Sequence, residues 1–250
     1  MPMLVLRSLL FNLAFFGFGG GYLILGVPLL LGPRRLQRRA MRWMAQALVW
    51  IMGWSVGVKI RVTGREHLPV EGGALIAAKH QSAFDTVIWF TLVPDVAYVM
   101  KKELFLIPFY GWFARRAPMI GVDRAAGGRA MRQMIREAQE LTRQGRQIVI
   151  FPEGTRTSPG QRVPYQPGVV ALASTLKLPV IPVATNSGEF WGRRNFIKRP
   201  GVLEVRVLPP LVVPREELLE RLEDVIETEQ LKLGRHDAPE PARQRACSRS

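Results

Sequence analysis

Apolar residues fall into two regimes along this chain. Leu4 to Leu31 is almost unbroken, LVLRSLLFNLAFFGFGGGYLILGVPLLL, with Arg7 and Asn12 its only strongly polar side chains. A run of that length exceeds the ~20 apolar residues that cross a bilayer. A signal peptide has a shorter apolar core and a small-residue cleavage site, but PRRLQRRAMR follows here, so the segment is expected to remain as an anchor. A second apolar stretch, Trp43 to Val58, is short for a full span and carries Trp43, Trp50 and Trp54, a residue type that prefers the membrane interface. A re-entrant hairpin and a span followed by an interfacial helix both fit. Gly17 and Gly21 form either a small-residue pair for helix association or a plain glycine patch.

From Val56 the pattern changes to short apolar runs punctuated by Gly and Pro. Residues 56–62, 74–79, 95–101, 118–122, 147–151, 180–185 and 202–208 read as strands. Between them, Arg129–Gln144 places Met131, Met134, Ile135, Ala138 and Leu141 on one helical face, and Arg215–Leu233 does the same with Leu218, Leu219, Leu222, Val225 and Ile226. Shorter helices are expected at 83–92 and 168–177. Strands alternating with helices predict an α/β domain, a sheet flanked by helices, over residues 59–234. A membrane-embedded helical segment, 1–58, precedes it, and the polar tail 235–250 is expected to be disordered.

Charge sharpens the picture of the first segment. The chain carries 35 Lys and Arg against 20 Asp and Glu, a net of +15, which points to an anionic partner. Residues 1–62 hold eight basic side chains and no acidic one, leaving +7 for the other 188 residues. Basic and greasy together favour a membrane surface over nucleic acid. Arg34, Arg35, Arg38, Arg39 and Arg42 form a juxtamembrane cluster expected on the cytoplasmic side. One cysteine, Cys247, excludes an internal disulfide framework and a zinc ribbon.

Candidate chemistry starts from three histidines. His236 lies in the polar tail and His67 in the turn-like GREHLP, whereas His80 directly follows the apolar strand ALIAAK, with Asp85 five residues on. A loop can fold that aspartate back on the imidazole, fixing its tautomer and leaving Nε2 as a general base. The alternative is that Asp85 caps the next helix and His80 serves only the loop. QIVIFPEGTRTSPG places Glu153, Gly154, Thr155 and Arg156 at another strand end, where α/β proteins bind ligands. Arg156 offers a planar fork for phosphate oxygens, or the stretch is a tight turn with a solvated arginine. GVDR places Arg124 past a third strand, as a second cation, unless Asp123 merely pairs with a neighbouring base.

In order and spacing, His80-Gln81-Ser82-Ala83-Phe84-Asp85, Gly121-Val122-Asp123-Arg124, Phe151-Pro152-Glu153-Gly154-Thr155-Arg156 and Leu178-Pro179-Val180-Ile181-Pro182-Val183 resemble the four blocks of the glycerolipid acyltransferases. The resemblance runs from about residue 56 to 210. It departs where the family often has a lysine, two residues before the glycine that follows the third block; Gln166 stands there. The resemblance implies acyl transfer from a thioester, acyl-coenzyme A or acyl-carrier protein, to the sn-2 hydroxyl of 1-acyl-sn-glycerol 3-phosphate, yielding phosphatidic acid. Another lysolipid or glycerol 3-phosphate as acceptor, and a non-catalytic membrane adaptor, are the alternatives. It makes His80 the base and Asp85 its support, and gives the acceptor phosphate to Arg156, with Gly154, Thr155, Arg124 and Glu153 around it, Glu153 orienting Arg156 or a backbone turn. Neither a metal nor a bound cofactor is implied, and neither Cys247 nor Ser82 is needed as a nucleophile. The implied setting is the inner cell membrane, with the catalytic domain on its cytoplasmic side.

Overall fold

A computed structural model describes residues 2–233. The expected tail, with His236 and Cys247, lies outside the described residues. Two helices lead, α1 (Pro2–Leu25) and α2 (Arg34–Val56), followed by strands β1 (Val58–Thr63), β2 (Ala74–Ala78), β3 (Val96–Lys101), β4 (Ile120–Val122), β5 (Gln147–Ile150), β6 (Val180–Thr185) and β7 (Gly201–Val207). The later helices are α3 (Trp89–Leu92), α4 (Tyr110–Arg116), α5 (Gly127–Arg143), α6 (Gly168–Leu176), α7 (Ser187–Phe190) and α8 (Arg215–Leu233). The strands make one seven-stranded sheet in the order β1-β7-β6-β2-β5-β3-β4. All neighbours are parallel except β6 and β7. The sheet flanked by helices is as the patterning predicts.

Alternation along β2 divides the core. Ala74, Ile76 and Ala78 face a cluster with α2 and the Phe84–Trp89 segment, while Leu75 and Ala77 face α5, α6 and α8. The strands fall where the patterning predicts, while several helical features differ, among them α7, which has no expected counterpart. Val56 closes α2 instead of opening a strand, because Gly57 at φ +86° ends the helix in the left-handed conformation. The expected helix 83–92 is a 3₁₀ turn, Phe84–Thr86, followed by the single-turn α3. Helix α4 has no counterpart among the expected helices.

The arginine cluster and the tryptophan-rich stretch are one helix, not two features. Met44, Ala45, Leu48, Ile51, Met52 and Ser55 form its buried stripe, sharing a core with the sheet, while Trp43, Trp50 and Trp54 point outward. Arg34 and Arg38 are committed to Asp95 at 3.1 and 3.2 Å, and Arg42 donates to the Val93 carbonyl. Arg35 and Arg39 remain exposed.

Helix α1 is long and apolar enough to cross a membrane, and its few polar groups bind the domain. Arg7 donates to the Ser55 carbonyl, Asn12 to that of Phe196, and Ser8 Oγ accepts from the Lys198 amide at 2.9 Å. Lys198 is buried here, 5.7 Å from the rings of Phe11 and Trp191, and burial lowers its pKa to about 8. The sign of the consequence is fixed. Between about 8 and the ordinary lysine value of 10.5 the native protein has already lost a proton the unfolded chain still holds, so raising pH through that window favours the fold. Melting temperature should therefore rise more steeply over pH 8–10.5 in the wild type than in Lys198→Met. Parallel curves would remove Lys198 as the source.

Candidate active site

Chain direction sets where the chemistry collects. Strands β2, β5, β3 and β4 run parallel, so the loops leaving their C-terminal ends share one edge of the sheet. The segment after β2 crosses one face and α6, after β5, packs on the other. Adjacent strands whose connections diverge in this way leave a crevice between them. His80 and the Phe151–Arg156 turn flank that crevice.

The His80 loop is held from both sides. Lys79 extends β2 by donating its amide to the Val183 carbonyl. The His80 ring stacks on Phe151, centroids 4.0 Å apart, and its Nδ1 lies 3.1 Å from Asp85 Oδ2. The same oxygen accepts the amides of Gln81 at 2.7 Å and Ser82 at 2.8 Å. One carboxylate oxygen thus ties down the loop and meets the imidazole. Asp85 is 3% exposed, and its Oδ1 is buried with no hydrogen-bond partner. With Nδ1–H donated to Asp85, Nε2 carries the free lone pair. Ser82 Oγ accepts from the Phe84 amide, so this hydroxyl is engaged in the turn.

The second loop turns tightly after β5. Gly154 sits at φ +67°, a conformation glycine reaches without strain, and its amide donates to the Phe151 carbonyl. Glu153 points inward. Its Oε2 accepts the His80 amide at 2.7 Å, and its Oε1 accepts from Thr157 Oγ1 and Lys79 Nζ, both at 2.8 Å. The Thr157 amide returns a bond to the His80 carbonyl at 2.8 Å. Burial raises the Glu153 pKa, opposed chiefly by the Lys79 ammonium. Expected among the phosphate-binding groups and as an orienting carboxylate, Glu153 clasps the two loops together, its side chain 0% exposed.

Arg156 follows this clasp, within electrostatic reach of Asp85, Arg193 and Tyr110. It is half-buried, and burial lowers its pKa while the nearby Asp85 carboxylate raises it; Arg193 and Tyr110 act in opposite senses. Arg193 also donates to the Arg156 carbonyl at 3.5 Å. Burial raises the pKa of Tyr110, with Arg156 pulling it down. Thr155 is exposed beside Arg156. Arg124 begins a short turn after β4, on the same edge but two strands from β5. Asp123 there caps the turn through the Ala125 amide and lies 3.7 Å from Lys102.

The site therefore unites His80, Asp85, Gly154 and Arg156 around one crevice. Sequence reasoning missed Lys79, Tyr110, Thr157 and Arg193. Lys79 is next to His80, yet nothing in an apolar strand pattern marks a lysine as buried. Arg193 and Tyr110 come from segments distant in sequence and meet the site only through the fold.

These features have counterparts in known proteins. The sequence profile of the family described as Acyltransferase matches residues 59–186, half of the chain. The chain is 33% identical over 163 residues to a 1-acyl-sn-glycerol-3-phosphate acyltransferase of Pseudomonas aeruginosa, covering 65% of this chain and 63% of that protein. It is 33% identical over 159 residues to the mouse protein 1-acyl-sn-glycerol-3-phosphate acyltransferase alpha, covering 62% and 55%. The chain thus spans less than two thirds of the length of these relatives. Its fold is similar to the crystal structure of the 1-acyl-sn-glycerophosphate acyltransferase from Thermotoga maritima, with a TM-score of 0.73 at 21% identity, over 94% of this chain and 97% of that one. With the matched residues running from β1 through both crevice loops to the end of β6, this chain belongs to the acyltransferase family.

Proposed function

We propose that the chain transfers an acyl group from a thioester to the sn-2 hydroxyl of 1-acyl-sn-glycerol 3-phosphate, forming phosphatidic acid and a free thiol. The observation that carries the reading is a histidine backed by a buried carboxylate, His80 Nδ1 to Asp85 Oδ2 at 3.1 Å, with the half-buried Arg156 at the same crevice. The matched relatives named above support the choice of acceptor.

The chemistry follows from these groups. An alcohol is a poor nucleophile at neutral pH, so His80 Nε2 takes the hydroxyl proton as the oxygen attacks the thioester carbonyl. Asp85 stabilises the imidazolium that forms. The tetrahedral intermediate collapses by breaking the carbon–sulfur bond, and the imidazolium returns the proton to the departing thiolate. The donor is already activated, so no acyl-enzyme is required. Arg156 holds the acceptor phosphate and thereby positions the hydroxyl. Acyl-coenzyme A and acyl-carrier protein both present the required thioester, and the reaction needs no bound cofactor or metal.

The acceptor and product are lipids, and α1 with the outward tryptophans of α2 gives the domain a place at the bilayer. We assign this to the inner membrane with the catalytic domain cytoplasmic, where the exposed Arg35 and Arg39 meet anionic headgroups.

Kinetics against separate substrates test the assignment of Arg156. Arg156→Ala should raise the acceptor KM about 10–100-fold, the worth of a hydrogen bond to a charged group, and leave the donor KM unchanged. Arg156→Lys should restore only part, since an ammonium cannot make the bidentate fork. A change confined to the donor would move Arg156 to the thioester side. Equal turnover of glycerol 3-phosphate or a lysolipid with a larger headgroup would displace lysophosphatidate as the acceptor.

A further inference from the structure

The clasp between the catalytic loops is itself held from an unexpected quarter. Lys79 is 1% exposed, and its ammonium has three partners: Glu153 Oε1 at 2.8 Å, Glu227 Oε1 at 2.6 Å, and the Gln161 carbonyl at 3.5 Å. Glu227 belongs to α8, and its Oε1 also accepts from the buried Tyr165 hydroxyl at 3.0 Å. We propose that Lys79, Glu227 and Tyr165 form a buried brace through which α8 positions Glu153, and through Glu153 the backbone of His80.

Stability alone gives no reason for this arrangement. A buried ion cluster gains little over well-packed apolar side chains, because desolvation offsets the attraction. Its geometry does something packing cannot. Lys79 spans the two carboxylates, and Glu153 then presents an oxygen to the His80 amide at 2.7 Å. A rigid chain of short bonds thus runs from α8 to the residue that carries the base. Burial of Glu153 favours its protonated form, and the adjacent Lys79 counters this. The loop between is fastened to the same helix: Arg162 pairs with Glu223 at 2.7 Å and with Asp224 at 3.1 Å. Helix α8 meets the end of β2 across 148 positions of sequence, through Glu227 and Lys79.

The inference rests on the reading of His80 as the base and specifies how that base is kept in register. Small displacements of a catalytic group are costly, about 10²-fold for 1 Å. Glu227→Leu in the full chain should therefore lower kcat by about 10–100-fold while the acceptor KM stays within twofold. Glu227→Gln keeps an acceptor oxygen for Lys79 and Tyr165, and should recover kcat to within about threefold of wild type. Adding Tyr165→Phe to Glu227→Leu should cost little more, because both act through one unit. Circular dichroism and melting curves monitor the fold of each variant, and Tyr165→Phe, which removes a single hydroxyl, stands in if Glu227→Leu does not fold. A folded Glu227→Leu with wild-type kcat, a rise in KM in place of the fall in kcat, or a Glu227→Gln as impaired as the leucine variant would each overturn the brace. His80→Ala, assayed alongside, separates the two readings. If that variant stays active the assignment of the base fails, whereas a dead His80→Ala beside an unaffected Glu227→Leu removes the brace alone.

Discussion

Replacing His80 with alanine should leave a folded protein whose turnover is lower by about 10²–10⁴-fold, the usual contribution of a general base. The fold should survive because the loop is held by backbone bonds that the substitution leaves in place. The imidazole is 12% exposed at the crevice, its ring meets only Phe151 among the aromatic residues, and the bonds that lock the loop are made by the His80 backbone to Glu153 and Thr157. The variant should keep the wild-type far-ultraviolet spectrum and bind lysophosphatidate through Arg156 with little change in affinity. The loss is thus expected in kcat. Turnover near wild type would take His80 out of the reaction. A protein that unfolds would show that the ring stacked on Phe151 holds the loop more than the backbone bonds do.

Asp85→Asn should be nearly as severe, also about 10²–10⁴-fold, for a different reason. The asparagine carbonyl oxygen can occupy the Oδ2 position and keep the amides of Gln81 and Ser82. Its NH₂ then falls where Oδ1 is buried without a partner, and no negative charge remains to stabilise the imidazolium. Arg156 loses the favourable influence of that carboxylate as well. The substitution therefore separates two jobs that one oxygen performs in the native protein. Loop geometry should persist in melting curves while turnover collapses. A silent Asp85→Asn would reduce Asp85 to a tie for the loop.

How much of this could be read from the sequence follows from the range of the interactions involved. All seven strands were legible because each is a short apolar run closed by Gly, Pro or charge. Helix α5 was legible because Met134, Ala138 and Leu141 repeat at helical spacing and are buried. Helix α4 was not, since FYGWFARR offers no such repeat and the helix follows Phe109 at φ +60°. The union of the arginine cluster with the tryptophan stretch was hidden for a related reason. Its first turns carry five arginines, and tertiary pairing of two of them to Asp95 shows why they stay helical. In the site, His80, Asp85 and Arg156 stood out because they lie in short local blocks. Glu153 was legible as a carboxylate that orients a turn, but its partner, the His80 amide, was not, because that contact joins two separate loops. Lys79 and Glu227 meet across 148 positions, a pairing no local pattern encodes.

In the proposed reaction, His80 assists direct attack of the lysophosphatidate hydroxyl on a thioester acyl group. The measurement that tests it most directly uses the purified full chain in detergent micelles with lysophosphatidate and an acyl thioester, following free thiol and phosphatidate together by mass spectrometry. The expected result is one thiol released per phosphatidate formed, the new acyl group on the sn-2 oxygen, and both signals lost in His80→Ala. Thiol released without phosphatidate, or equal product from wild type and His80→Ala, would contradict it.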